Sequence, residues 1–156
     1  MLASRGPMPP TLKATLCYEG GWLAEGEISY AGPNAAARAK LAGEVVRDRL
    51  KLLKLGHLPL RMDLIGVASV FADDGGRWWN EPTLTPCFTS QDVRLRVAAS
   101  SASRSDAEAV TREVLALYTC GPAGGGGVRT QVTSRLVSDS CYVPREWISP
   151  GWSFAQ

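Results

Sequence analysis

Tyr118-Thr119-Cys120-Gly121-Pro122-Ala123-Gly124-Gly125-Gly126-Gly127-Val128-Arg129 marks the point where a helical spacing of apolar residues gives way to an alternating one. Glycine commonly follows a helix because it enters the left-handed region without a Cβ clash, and proline follows because it cannot continue the helix. Gly121-Pro122 therefore reads as a stop signal. The four glycines after it need another reason. Ordering a glycine costs about 0.5–1 kcal/mol more than ordering an alanine, so an ordered run of four costs roughly 2–4 kcal/mol. Such a connector either stays mobile or brings its backbone close to something, a ligand oxyanion or a neighbouring subunit. On its helical side, Ser105-Asp106-Ala107-Glu108 predicts a capping box, and Ala107, Val110, Val114 and Leu117 mark a buried stripe. On its strand side, residues 128–137 alternate, with Val132 and Leu136 against Arg129, Gln131, Thr133 and Arg135.

Upstream, residues 92–99 set Val93, Leu95, Val97 and Ala99 against Asp92, Arg94 and Arg96, the period of a strand. Residues 60–71 are apolar except for Arg61 and Asp63, which fits a strand buried on both sides. Between these two strands, residues 72–91 carry Trp78, Trp79, Pro82 and Pro86 without a period and read as an inserted loop. Ala35, Ala39, Ala42, Val46, Leu50 and Leu53 recur three and four apart, predicting an amphipathic helix started at Gly32-Pro33-Asn34 and ended by Gly56. Nearer the N-terminus, Leu12 to Tyr18 and Trp22 to Tyr30 each alternate around Glu19-Gly20-Gly21, which predicts a hairpin. Residues 1–10 hold three prolines and read as a flexible lead-in, and 144–156 as an aromatic tail.

The order strand, strand, helix, strand, strand, helix, strand is α+β. Beyond its first strand it is βαββαβ, a ferredoxin-like two-layer sandwich with an extra N-terminal hairpin strand. The domain spans 11–143. A chain of 156 residues is one domain, and burying roughly 68–70% of its unfolded surface needs no covalent staples. Seventeen basic and fifteen acidic residues give a net charge of +2, too balanced to indicate a nucleic acid or membrane partner. Cys17, Cys87, Cys120 and Cys141 form no C-x-x-C pair and His57 is the single histidine, so no metal site is expected. Without an apolar segment for a signal peptide or a membrane span, the expected compartment is the cytoplasm with free thiols.

Three separated segments carry a resemblance: the glycine approach LYTCGPAGGGGVR, the run GGWLAEGEISYAGP leading into an Ala/Arg-rich helix, and RMDLIGVASV. Together, over about residues 11–145, the chain resembles the C-terminal ferredoxin-like domain of the acyclic terpene utilisation AtuA family. In that family the domain usually follows a much larger AtuA domain. The resemblance implies a small subunit or detached domain working with a separate AtuA-like large subunit, in acyl-CoA metabolism of branched or isoprenoid acids. It implies no cofactor, with a coenzyme A thioester as possible substrate and a lyase or hydro-lyase step as the expected class. The inserted loop and the aromatic tail depart from the family pattern.

The residues themselves offer several candidate sites. Gly124, Gly125, Gly126 and Gly127 with Arg129 suit an anion, as backbone N–H groups and a guanidinium around a phosphate or carboxylate. Against this, the loop leaves a helix C-terminus, the wrong dipole end for an anion, and a mobile connector explains it as well. Asp63 in an apolar strand needs a cation if it is buried, so a neighbouring strand should supply Arg94 or Arg96; a structural ion pair, or simple exposure on the open sheet face, is preferred to a general base. Glu25 and Glu27 share a strand face, read as a solvated or partner-covered mixed-charge surface rather than a carboxylate pair. Trp78, Trp79, Trp147 and Trp152 are the interface candidates, with plugging of the core ends as the alternative. His57 and Cys120 lie at helix C-termini, positions that favour a cap over a catalyst. Docking of the open sheet face, insertion and tail on the large subunit is the first expectation. A self-associating ligand-binding domain without catalysis is the second. RNA binding is disfavoured, because the open face carries charges where base-stacking aromatics are needed.

Overall fold

In the computed structural model the described residues are 6–67, 69 and 91–154. Along the chain they form β1 (Thr11–Ala31), α1 (Ala35–Leu52), β2 (Leu60–Ile65), β3 (Asp92–Ser101), α2 (Arg104–Cys120), β4 (Gly125–Pro144) and a 3-10 turn at Arg145–Trp147. The strands make one four-stranded sheet in the order β2-β3-β1-β4. Four antiparallel strands and two helices are compatible with a ferredoxin-like sandwich. The inserted loop at 72–91, with Trp78 and Trp79, lies outside the described residues except for Gln91.

Two compact units divide the chain, one of residues 20–135 and one of residues 1–19 with 136–156. In the first, alternation places Ala24, Ile28 and Tyr30 of β1, Met62 and Leu64 of β2, and Val93, Leu95, Val97 and Ala99 of β3 in the core. Ala39, Ala42, Val46 and Leu50 of α1 and Ala107, Val110, Val114 and Leu117 of α2 close over them. Each such Val or Leu side chain contributes about 1.5–3 kcal/mol on burial, which outweighs the weak helix preference of the β-branched residues. In the second unit, the Tyr18 hydroxyl donates to Asp139 Oδ2 at 2.7 Å, and Arg145 donates through its backbone N–H to Pro10 O and through Nε to Pro9 O, both at 2.9 Å.

Several expectations need correction. The extra N-terminal hairpin strand does not exist: residues 11–31 are a single strand that runs through Glu19-Gly20-Gly21. Gly21 takes φ +87°, and a Cβ there would stand 2.5 Å from the Ser101 carbonyl oxygen. Glycine is needed for close approach to β3, not for a reversal. The capping box does not form either. The helix starts at Arg104, two residues before the start that the box predicts, so Ser105 lies inside it and Glu108 accepts from Arg104 Nε at 2.9 Å instead. Asn34 precedes α1 in the left-handed region without a side-chain cap, and Gly121 ends α2 in an extended rather than left-handed conformation. Finally, β4 begins at Gly125 and ends at Pro144, so three of the four glycines belong to the strand.

The glycines of β4 differ in what surrounds them. A Cβ on Gly125 would stand 2.9 Å from Ile28 Cδ1 and 3.1 Å from Tyr30 Cε1, whereas Gly126 faces open space. Gly125→Ala is therefore expected to destabilise by about 1–3 kcal/mol through overpacking. Gly126→Ala is expected to be neutral or to stabilise by up to about 1 kcal/mol through the unfolded state. Urea unfolding of the two variants checks the contrast, and equal losses would contradict it.

Candidate functional site

The sheet face opposite the core carries a polar chain that crosses all four strands. Asp63 of β2 is buried, and the antiparallel register sets it directly opposite Arg96 of β3. Its Oδ2 accepts from Arg96 Nη1 at 2.9 Å, and its Oδ1 accepts from Arg61 Nε at 2.9 Å. Arg96 reaches across to Glu25 of β1 through Nη2, and Glu25 Oε2 accepts from Gln131 Nε2 of β4 at 2.9 Å. One step along, Arg94 donates to Glu27 Oε2 at 2.8 Å and to Ser29 Oγ at 3.1 Å.

Hydrogen bonds from Arg96 and then Gln131 hold the Glu25 carboxyl below its ordinary value, against a smaller opposing effect of burial. Burial pulls the Arg96 guanidinium down, yet its bonds to Glu25 and Asp63 leave it above the ordinary arginine value. Asp63, Glu25 and Glu27 thus each have a guanidinium partner. Neither Glu25 nor Glu27 is free to act as a base without breaking one. Beside them, Glu25, Glu27, Arg129, Thr130 and Gln131 line a shallow cleft of about 220 Å³. Arg129 is exposed there.

A different arginine reaches the glycine segment. Arg38 of α1 donates from Nη1 to Ala123 O at 2.6 Å and from Nη2 to Ala31 O at 2.5 Å and Pro33 O at 3.0 Å. Its guanidinium carbon stands 5.9 Å from the centroid of the Tyr30 ring. Gly124 turns the chain beneath it at φ +79°. Burial raises the Tyr30 hydroxyl above its ordinary value, and that oxygen has no hydrogen-bond partner among the described residues.

The remaining candidates take no part in this network. Trp147 and Trp152 are 72% and 84% exposed. His57 Nδ1 lies 3.1 Å from Lys54 O, and the Cys120 thiol donates to Ala116 O at 3.0 Å, each satisfied at its helix end. Among the described residues no group of His, Cys, Asp and Glu is placed to hold a metal ion, and no helix is long and apolar enough to cross a membrane. Sequence reading missed Arg38 and Gln131, and it did not join Arg61 to Asp63. An arginine two residues from a buried acid on one strand face was the available signal for that pair.

Fold and polar face together define an α+β sheet-and-helix domain with a self-neutralised open surface. The chain belongs to a known family: the model of the acyclic terpene utilisation family protein AtuA matches residues 3–154. No curated protein matches it. Among solved structures, the de novo designed protein Ferredog-Diesel is similar at 16% identity and a TM-score of 0.40, covering 73% of this chain and 88% of that one.

Arg96→Met would leave Asp63 buried against Arg61 alone, and a loss of about 3 kcal/mol in unfolding free energy is expected. Acid dependence gives a second check. Because its folded value is depressed, Glu25 contributes stability that is present above its ordinary value of 4.5 and lost as pH falls through the lower folded value. Unfolding free energy should therefore decline below about pH 4.5 less steeply in Glu25→Gln than in the wild type. Superimposable acid profiles would contradict this.

Proposed function

We propose that this chain is the assembly component of an AtuA-like enzyme, a small subunit or domain that docks on a larger AtuA-like partner and lines part of its acyl thioester site. The reaction is an elimination or addition of the lyase or hydro-lyase class, on an acyl-CoA or acyl-carrier substrate. Family membership supports the setting, and one observation carries the docking. Trp147, Trp152 and Phe154 stand 72%, 84% and 85% exposed in the tail, and the last two pack edge to face at 5.4 Å. Large aromatic side chains in water are the residues that dominate interface energies once covered. Each has two rotatable angles to fix, so ordering them on a partner costs little.

Substrate contact falls to the glycine segment and its neighbours. Gly124, Gly125, Gly126 and Gly127 bring backbone without side chains to the start of β4, and Arg129 holds an exposed guanidinium two residues on. A guanidinium grips a carboxylate or phosphate in a bidentate manner, and a coenzyme A thioester carries several phosphates. Asp63, Arg94 and Arg96 support this surface by fixing the strand register and take no part in the chemistry.

Co-expression with a full-length, larger AtuA-family protein tests the reading. The wild-type chain is expected to co-purify with it, and Trp147→Ala/Trp152→Ala to reduce recovery about tenfold or more. A thermal shift of the assembly by acetyl-CoA, lost in Arg129→Ala, checks the substrate side. A wild-type chain that never associates, or a double variant that associates equally well, would refute docking through the tail.

A further inference from the structure

The outer edge of β4 carries the next inference. β4 ends the sheet order, and no described strand pairs with its far side. Long free edges invite pairing, and proteins usually blunt them with lysine, proline, a bulge or brevity. Residues 131–143 have neither lysine nor proline, and β4 runs for 20 residues. Arg135 and Asp139 are the only charges between Gln131 and Val143.

We propose that β4 pairs with β4 of a second copy of this chain, antiparallel, about a two-fold axis through Val137. The occupant follows from self-complementarity. In that register Arg135 faces Asp139 of the other copy, and the symmetry makes the pair twice. Val132 faces Tyr142, an aromatic with a β-branched residue, and Ser134 faces Ser140. The opposite charges and the aromatic with a β-branched residue are both cross-strand pairs that stabilise a sheet. Tyr142, 72% exposed, gains a neighbour from the other chain. Alternative registers lose these matches. An axis at Arg135 or Asp139 sets identical charges opposite each other, and one at Leu136 or Ser138 faces both charges with uncharged residues. Pro144, which has no N–H to donate, ends the ladder. This pairing is independent of docking through the tail, and either can fail alone.

Light scattering over a concentration series, on the purified full chain, provides the test. The wild type is expected to be a dimer. Arg135→Asp and Asp139→Arg each set like charges opposite at two places and should weaken it by about tenfold or more. The double variant R135D/D139R restores opposite charges and should recover the wild-type affinity to within about threefold. Tyr18→Phe, which removes the existing bond to Asp139, should leave the dimer intact. Should a charge variant unfold, wild-type hydrogen exchange still decides the matter, with amides of 131–143 gaining protection as concentration rises. A monomer at every concentration, a dimer indifferent to the single reversals, or a double variant that does not recover would overturn the proposal. If the wild type is monomeric yet binds the larger family protein, this pairing is refuted while the docking reading stands.

Discussion

One guanidinium holds three carbonyl groups from two connections that are far apart in sequence. Arg38 bonds Ala31 and Pro33 at the β1–α1 turn and Ala123 in the α2–β4 connection. At the turn before α1, Arg38 Nη2 donates to both the Ala31 and the Pro33 carbonyl and so ties the end of β1 to the helix that follows. The same side chain fixes where β4 begins, because Ala123 and Gly124 are placed beneath it immediately before the strand. Everything β4 contributes beside β1 follows from that starting point. Gln131 meets Glu25 only in this register. At Gly125 the entropy of ordering a glycine is spent where a side chain would collide with Ile28 and Tyr30.

The open face works as a lock on register rather than as a source of stability. Ion pairs that lose water gain little net energy over apolar packing, but removing one member leaves a buried charge alone. A strand displaced by one residue would turn Asp63 into the apolar core and separate it from Arg96. The cross-strand chain therefore penalises slippage at β2, β3 and β1 together. Glu113 has a comparable place between the helices, where it is buried and accepts from Arg49 of α1.

Periodicity in the sequence located both helices, β3 and nearly all of the core, since these depend on spacing alone. Its failures have a common physical origin. Gly20-Gly21 carries a strong local turn signal, yet the segment stays extended because its partners, β3 and β4, come much later in the chain. The capping box at Ser105 was a sound local motif, overridden when Arg104 took the glutamate it needed. Asp63 stood out as an acid in an apolar run, and sequence narrowed its partner to Arg94 or Arg96. Register decided between them, and register is a tertiary quantity. Arg38 and Gln131 had no signal, because an arginine on a helix and a glutamine on a strand are unremarkable until the fold brings acceptors to them.

These placements separate what the molecule uses internally from what it offers outward. Asp63, Glu25 and Glu27 are each already bound to a guanidinium, so a partner covering that face would have to strip water from satisfied charges. Such desolvation returns little unless the partner supplies matching donors and acceptors. The tail faces no comparable penalty. Trp152 and Phe154 expose apolar rings, and covering an apolar ring is favourable in proportion to the area removed from water. Unlike Arg94 and Arg96, Arg129 stands exposed beside an open cleft, so an incoming anion would meet it without first displacing a carboxylate from either of them. In the proposed assembly the apolar tail would supply affinity and Arg129 selectivity, while the paired network between the strands keeps the sheet that presents Arg129 in register.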